Sequence, residues 1–555
     1  MDLVTSPSPL DIVTRDGIRL SGQYWTPSAD TSSSLPLVLC RTAQPLSHLE
    51  AFARALVQQG YPVVLQSVRG RGSSRGRFRP YFQELEDGED TVLALQRKNL
   101  LSSRTMLPVG LGYDGQSALS LSLSAPCECL CALAASAPSA SHFHSGLCTN
   151  GLPTGISLYR LARWLPKYAY LSRAAFSAWL AQPRWGSGLS PFSASPALEE
   201  WVLELRTSPT FNSFWKHPTL CPRSFLRNLP DLPTFLATGT AATTCAGTMS
   251  LAQQISARNS EPLELWLGDW DDDALEDYTP TAPVAQRLID WLQRFSQKNG
   301  TNALGGRNIH YLIQKGDHQP HWQELGNWPS LDQVPQKFYL TPGALSPTPP
   351  DITATSDYFD NPLESPTSSK AWSFTSCEPR FGEFRLPLAT RGDVLAFTSP
   401  PFSATTTLLG TPHLRLRVSS NRSDTQFLAR LVLVPPVGHA YVVAFGAARL
   451  ALRYGFENLV AFSPGADAPA TLNFSLQPLA CELPPGSRLR LEVCTNDFPR
   501  FPLATNALPK NDIIAYPRSV RNAIEFDPRG TNRLTLPVFN KAPPTTNNPV
   551  DTSLQ

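Results

Sequence analysis

The sequence has few charged residues and no long apolar run. Charged residues make up 17% of the 555 residues, which is below the share usual for soluble domains. The formal net charge of +2 gives no reason to expect binding to nucleic acid or to an anionic membrane surface. No stretch reaches the roughly 18 apolar residues of a membrane span. The first residues lack the basic and apolar segments of a secretory signal, so we expect a cytoplasmic protein.

The sequence also lacks a metal-binding pattern. Its ten cysteines are scattered, apart from the group Cys127, Cys129 and Cys131. The C-x-C-x-C spacing of this group is not that of a zinc site, and no matching His or Cys group follows it. Free thiols in a reducing compartment are the simpler interpretation. We therefore expect no metal and no cofactor.

Hydrophobic periodicity divides the chain into regions of different type. Apolar runs such as Leu35–Cys40 alternate with amphipathic helical segments, which is typical of a parallel, doubly wound sheet with helices on both faces. Short helical patches then interrupt this α/β pattern before it resumes. Near the middle of the chain the period changes to two, which predicts a β-sandwich. The expected regions are an α/β core (8–141 and 229–336), a helical cap (142–228), a β domain (337–540) and a disordered tail (541–555).

One stretch has the pattern of a sharp turn between a strand and a helix. The apolar run Met106–Val109 leads into Gly-x-Gly-Tyr-x-Gly at residues 110–115, and small and apolar residues suited to a helix follow. In a nucleophile elbow, G-x-S-x-G lifts a serine above the sheet at such a turn. Glycines flank the nucleophile because strand and helix pack closely there. The residue at the nucleophile position is Gly112, which has no side chain.

Several motifs, taken in order, resemble the CocE/NonD hydrolases, the relatives of cocaine esterase and the X-Pro dipeptidyl-peptidases. The resemblance runs from about residue 10 to residue 540. It implies an α/β-hydrolase core, a helical cap and a C-terminal jelly-roll domain, and relatives of this fold suggest a homodimer. The motifs lie at Asp16–Leu20, Val68–Phe78, Glu84–Thr91, Trp328-Pro329 with Phe338–Leu340, Asp424–Phe427, Pro484–Leu489 and Asn496–Pro499.

The catalytic positions that the resemblance implies are substituted. The serine position is Gly112, the triad aspartate position is Ala242, the triad histidine position is Asp272, and the tyrosine of the oxyanion hole is replaced by Gln44. The backbone N–H of Tyr113 is the oxyanion-hole group that remains. Losing a triad leaves only about 10³–10⁴-fold catalysis over water. We therefore expect no ordinary triad hydrolysis.

Other side chains could take part in a pocket between elbow and cap. His142 and His144 follow a predicted strand on the side where ligand-facing residues of such sheets emerge, although ordinary cap histidines are the simpler interpretation. Asp114 follows Tyr113 and is expected to face the N-terminus of the helix, where its charge is favoured. Trp164 and Trp270 complete the candidate pocket residues.

Two further features each have a purely structural and a functional interpretation. Ser117, on the helix after the elbow, is a candidate for a relocated nucleophile, but a serine at that position normally packs inward. Asp269 and Asp271–Asp273 form an acidic group on the loop of the former triad histidine. Their spacing is not that of an EF-hand loop, so we expect a solvated loop and no metal.

Together these observations predict a CocE/NonD-like protein without a Ser-Asp-His triad, and whether it is an enzyme stays open. The first hypothesis is a pseudohydrolase whose pocket binds a small apolar molecule or supports non-hydrolytic chemistry of the cyclase or lyase type. The alternative is an active serine-type esterase, amidase or X-Pro peptidase-like hydrolase with relocated catalytic residues. A structural or partner-binding role through the jelly roll is a third hypothesis.

Overall fold

A computed structural model describes most of the chain. The described residues are 7–27, 35–101, 104–163, 172–181, 190–258, 260–296, 304, 306–315, 320–326, 328, 333–362, 391–438, 440–508 and 517–539. The predicted tail at 541–555 and the candidate Trp164 lie outside them. None of the helices in this described part combines the length and the apolar character needed to cross a bilayer.

The first half of the chain alternates strands and helices, as the periodicity predicts. Its strands are β1 (Ser8–Val13), β2 (Arg19–Trp25), β3 (Leu37–Thr42), β4 (Val63–Ser67), β5 (Met106–Gly110), β6 (Leu133–Ser136), β7 (Cys148–Thr149), β8 (Leu152–Pro153), β9 (Thr234–Gly239), β10 (Leu263–Gly268), β11 (Arg307–Lys315) and β12 (His321–Leu325). Its helices are α1 (Glu50–Gln58), α2 (Glu84–Arg97), α3 (Tyr113–Ser124), α4 (Gly155–Arg163), α5 (Arg173–Leu180), α6 (Pro196–Thr207), α7 (Cys245–Arg258) and α8 (Pro283–Phe295).

Apart from the hairpin β7–β8, the strands of this half form one mixed sheet in the order β1-β2-β4-β3-β5-β6-β9-β10-β11-β12. Neighbours from β4 to β11 are parallel. The strands β2 and β12 are antiparallel to them, and the edge strand β1 is antiparallel to β2, so it runs in the same direction as the central strands. The central strands β3, β5 and β6 are buried along their whole length, which explains their continuous apolar sequences. The expected doubly wound α/β core is therefore confirmed.

The chain between β6 and β9 is mostly helical and packs over the carboxyl ends of the strands. It contains the short hairpin β7–β8 and the helices α4, α5 and α6. An aromatic cluster joins these helices to the sheet: Tyr113 and Tyr81 from the core side pack with Trp179, Trp201 and Trp215. Helices α4 and α6 lie in the region where the sequence predicts short helical patches. The exact domain boundaries stay a prediction.

The second half of the chain is a β-sandwich. Its strands are β13 (Gln333–Thr341), β14 (Ala344–Ser346), β15 (Ala354–Asp360), β16 (Val394–Thr398), β17 (Thr406–Gly410), β18 (His413–Ser420), β19 (Gln426–Val434), β20 (Tyr441–Arg449), β21 (Ala470–Ser475), β22 (Leu479–Leu483), β23 (Arg488–Cys494), β24 (Val520–Phe526) and β25 (Arg533–Phe539). Inward side chains alternate with outward ones along β18, as a period of two requires.

The sandwich is built from two groups of antiparallel neighbours around one core. One group is β20-β19-β23-β16 and the other is β21-β18-β24-β15. Side chains of both groups, such as Leu416, Leu431, Leu491 and Ile524, meet in one apolar cluster. The end of β11 pairs with β22 at Gln314 and Cys481, so the core sheet runs directly into the sandwich.

Candidate functional site

The turn between β5 and α3 has the geometry of an elbow. Gly112 has φ 65° and ψ −124°, a conformation that glycine adopts freely and other residues adopt with strain. A Cβ on Gly110 would lie 2.0 Å from the carbonyl oxygen of Asp114, and one on Gly115 would lie 2.1 Å from that of Ser136. Both glycines are therefore required by close backbone approach, as the sequence pattern indicates.

A cavity opens above this elbow at the carboxyl ends of the parallel strands. The cavity has a volume of about 520 Å³, which includes the space at its opening toward solvent. Loops after β5, β6, β9 and β10 form its floor, and α4 covers it. Ligands of open α/β sheets bind at this edge. The lining residues are Tyr81, Gly112, Tyr113, Gln116, Ala137, His142, Gly146, Leu147, Ser157, Arg160, Leu161, Thr243, Thr244, Asp272 and Glu276.

The side chain of Glu276 occupies the space directly over Gly112. A Cβ built on Gly112 would lie 2.0 Å from Cγ of Glu276 and 2.8 Å from its Oε1. Arg160 of α4 holds this carboxylate in an ion pair, and its other nitrogen lies 3.2 Å from Oδ1 of Asp272. The Arg160 side chain is only 13% exposed. The Glu276 side chain therefore fills the position toward which a nucleophile would project, and Arg160 links it to the carboxylate of Asp272.

Ala242 and Asp272, two of the positions that the sequence predicts for a substituted triad, lie in neighbouring loops. Asp272 is buried and accepts a hydrogen bond of 2.9 Å from Oγ1 of Thr243, the residue after Ala242. Ala242 is fully buried, and its carbonyl accepts a bond of 3.3 Å from Nε2 of Gln477 in the sandwich. The loops after β9 and β10 thus meet where a triad aspartate and histidine would meet. A carboxylate beside a threonine hydroxyl is not an acid–base pair of the serine-hydrolase kind.

The side chains of the two residues expected at the oxyanion hole have contacts of their own; the expected oxyanion-hole group of Tyr113 itself is its backbone N–H, not its hydroxyl. The half-buried Gln44 donates from Nε2 to the carbonyl of Glu276 at 3.3 Å and is not among the residues that line the cavity. The Tyr113 hydroxyl donates to Oε1 of Glu84 at 2.6 Å and accepts from the backbone N–H of Tyr81 at 3.2 Å. Burial and the neighbouring Glu84 raise the pKa of Tyr113, so its side chain is a neutral anchor of the elbow.

Only one of the two candidate histidines lines the cavity. His142 is 3% exposed, and its ring lies 4.7 Å from the ring of Tyr81. Neither ring nitrogen of His142 has a hydrogen-bond partner among the described residues. Burial lowers the pKa of His142 to about 3, so its ring is neutral at physiological pH. His144 does not line the cavity, because it turns into an aromatic cluster with Phe211 and Phe456.

Other candidate pocket residues lie behind the cavity wall. Asp114 is 1% exposed; its carboxylate accepts from the backbone N–H of Ala43 at 3.1 Å and from the Tyr278 hydroxyl at 3.0 Å. Burial raises the pKa of Asp114 to about 7. Trp270 belongs to the apolar core beside the sheet. Neither Asp114 nor Trp270 lines the cavity, so their expected place in the pocket is corrected.

Ser117 packs inward, which is the simpler of its two interpretations. Its hydroxyl donates to Oε2 of Glu84 at 2.8 Å, and Ser117 does not line the cavity. The buried Glu84 also accepts from Tyr113 and lies 3.3 Å from a guanidinium nitrogen of Arg41. A serine bonded to this structural carboxylate has no imidazole base beside it, so the geometry gives it no activation as a nucleophile.

The prediction of a solvated acidic loop is wrong for its central residues. Asp271 and Asp272 are 6% and 4% exposed. Oδ1 of Asp271 accepts from the backbone N–H of Ala274 at 2.9 Å, and Asp272 is paired with Arg160. These contacts compensate the burial of the carboxylates. Within the described ranges, no group of three or more His, Cys, Asp and Glu side chains could hold a metal ion.

Sequence reasoning missed the two residues that dominate the cavity. Arg160 and Glu276 are separated by more than a hundred positions, so their pairing has no local signal. One sequence feature could have found Arg160, because it lies within the predominantly apolar helix α4, next to Tyr159 and Leu161. A cation inside a buried helix demands a carboxylate partner.

Comparison with known proteins agrees with this architecture. Residues 16–271 match the X-Pro dipeptidyl-peptidase (S15 family), and residues 301–535 match the X-Pro dipeptidyl-peptidase C-terminal non-catalytic domain. The chain is 24% identical to the cocaine esterase of Rhodococcus sp. (strain MB1 Bresler), with 95% of this chain and 97% of that protein covered.

Solved structures show the same fold. An alpha-amino acid ester hydrolase superposes with a TM-score of 0.77 at 19% identity, covering 96% of both chains. A CocE/NonD family hydrolase from Staphylococcus aureus superposes with a TM-score of 0.68 at 13% identity, covering 95% of this chain and 93% of the other. Since the S15-type core is followed by its characteristic C-terminal domain over nearly the whole length, this chain belongs to the CocE/NonD family of hydrolases.

Proposed function

We propose that this chain is a hydrolase-fold protein that binds a small molecule in the elbow cavity without hydrolysing it. The proposal is carried by the Glu276 side chain, which lies where a nucleophile on residue 112 would project. A serine at Gly112 would have to displace both this side chain and its ion pair with Arg160. The cavity therefore leaves room for a side chain at residue 112 only if Glu276 moves.

The absence of a suitable base supports the same proposal. His142 is the histidine among the described cavity-lining residues. No carboxylate orients its ring, and its low pKa results from desolvation alone. A triad histidine instead needs a carboxylate that fixes its tautomer and stabilises the imidazolium. His142 is thus a hydrogen-bonding group and a poor general base.

The retained cavity supports a binding role. A fold that only served as a scaffold would gain stability by filling such a space with apolar side chains. The sequence predicts an apolar ligand. The lining, however, includes His142 and Thr244, whose polar side-chain atoms have no hydrogen-bond partner among the described residues, and it favours a ligand with polar groups because buried polar side chains need partners.

Steady-state hydrolysis of an activated aryl ester and of a dipeptide anilide tests this proposal. We expect the purified protein to release product no faster than the same protein after heat denaturation. A Ser117→Ala variant is the matched control for a relocated nucleophile, and it should behave like the wild type. Saturable turnover by the wild type would contradict the proposal, and its loss in Ser117→Ala would identify an active hydrolase with moved catalytic groups.

A further inference from the structure

The cavity wall contains polar groups that the protein itself does not satisfy. Both ring nitrogens of His142 and Oγ1 of Thr244 have no hydrogen-bond partner within the described part of the chain. Both residues line the cavity, and their exposed fractions are 3% and 7%. A buried donor or acceptor without a partner costs about 1–3 kcal/mol. Two such side chains on one cavity are therefore expected to be satisfied by whatever occupies it.

The charged groups of the same cavity already satisfy one another. Arg160 pairs with Asp272 and Glu276, and Asp272 also accepts from Thr243. With one guanidinium and two carboxylates, the formal charge of this group is negative, which disfavours an anionic ligand. The groups that lack partners, on His142 and Thr244, are neutral, so a ligand can bond to them without carrying a charge of its own.

Neutral imidazole and hydroxyl groups define the ligand chemistry. A neutral imidazole donates through one ring nitrogen and accepts through the other, and a threonine hydroxyl does both. A molecule with a donor and an acceptor can therefore bond to one ring nitrogen of His142 and to the hydroxyl of Thr244, whereas an apolar molecule would leave both side chains unpaired.

From this arrangement we propose that the cavity binds a small uncharged molecule with both a hydrogen-bond donor and an acceptor, such as a primary amide or an alcohol, through His142 and Thr244. This inference rests on the proposed function, since it concerns the same cavity. It adds to that function the chemical class of the ligand that the cavity binds.

Probes of nearly identical shape separate the chemical classes. Acetamide, acetone, acetate and acetamidinium share one heavy-atom frame but differ in charge and in donors, and 2-propanol represents the alcohols. Saturation-transfer NMR with titration gives the dissociation constant of each. For such small probes we expect values in the millimolar range, with acetamide or 2-propanol binding at least about tenfold more tightly than acetone. Equal binding of acetone, tighter binding of either ion, or no binding of any probe would overturn the proposal.

Two cavity variants and one matched control locate the binding groups. His142→Phe keeps the aromatic contact with Tyr81 but removes both nitrogens, and it should abolish the preference for acetamide over acetone. Thr244→Val is nearly isosteric and should reduce that preference, which keeps the test decisive if His142→Phe does not fold. His144→Phe changes a neighbouring, half-buried histidine outside the cavity and should leave the preference unchanged. A preference that survives both cavity variants would overturn the assignment.

The same spectra distinguish failure of this inference from failure of the proposed function. Slow conversion of acetamide to acetate, visible as a growing acetate methyl signal, would show an active amidase. Selective binding without acetate formation agrees with both proposals. Loss of selectivity without acetate formation would overturn only the ligand assignment.

Discussion

Replacing Gly112 with alanine should destabilise the protein strongly, because the new methyl group collides with Glu276. The added carbon would lie 2.0 Å from Cγ of Glu276, whereas non-bonded carbons pack at about 3.5–4.0 Å. Overpacking of this kind costs roughly 1–3 kcal/mol. The backbone at φ 65° and ψ −124° adds about 1–3 kcal/mol of strain. We expect Gly112→Ala to lower the free energy of unfolding by about 2–6 kcal/mol.

A double-mutant cycle with Glu276→Ala separates the two contributions. That change removes Cγ and the carboxylate, so the collision disappears while the backbone strain remains. The loss of the Arg160 ion pair occurs in both arms that carry Glu276→Ala and cancels in the cycle. Urea unfolding followed by circular dichroism should give the double variant about 1–3 kcal/mol more stability than the sum of the single effects predicts.

Gly17→Ala is the matched control for backbone strain. Gly17 also has a positive φ, of 80°, but a Cβ there would meet no atom within 4 Å. It should therefore lose only about 1–2 kcal/mol and show no coupling to Glu276. If the effects of Gly112→Ala and Glu276→Ala add to within about 0.5 kcal/mol, Glu276 does not fill the space over the elbow, and the reasoning is refuted.

Two further variants test the charged groups around the elbow. Arg160→Met leaves the buried Asp272 and the half-buried Glu276 without their cation and should cost about 3–5 kcal/mol in urea unfolding. Lys216→Met is the control: it breaks an ion pair between side chains that are 50% and 64% exposed and should cost at most about 1 kcal/mol. If both variants lose a similar amount of stability, Arg160, Asp272 and Glu276 do not form a stabilising ion-pair network. Burial raises the pKa of Asp114 in the folded protein from 3.8 to about 7. Between pH 3.8 and pH 7 the native protein therefore keeps the Asp114 carboxyl group protonated, whereas the unfolded chain releases that proton. Stability should therefore fall as pH rises through this window, by up to about 4 kcal/mol, and Asp114→Asn should remove that dependence; an unchanged pH profile would refute it.

Local patterns in the sequence predict most of the fold and the elbow. The elbow depends on three glycines within six residues: Gly110 closely approaches Asp114 of the same turn, and Gly112 has a positive φ. The strands β3 and β5 and the helix α8 follow directly from apolar runs and helical periodicity. Such features are encoded in neighbouring residues, so one sequence is enough to find them.

The cavity contents could not be predicted in the same way. Arg160 meets Glu276 and Asp272 only because α4 folds back over the loop after β10. Without that partner, the acidic loop was expected to be solvated. The two histidines show the same limit, because His142 and His144 are two positions apart yet contact the cavity and an aromatic cluster respectively. Such differences depend on tertiary packing, which periodicity does not report.

Intact-mass spectrometry after incubation with a fluorophosphonate is the most direct test for a nucleophile in this cavity. The reagent forms a covalent adduct with any activated serine, whichever position it occupies. We expect the wild-type mass to remain unchanged, while a known serine hydrolase in the same tube is fully labelled. A single stoichiometric adduct on this protein would contradict a nucleophile-free site, and peptide mapping would then identify the residue that attacks.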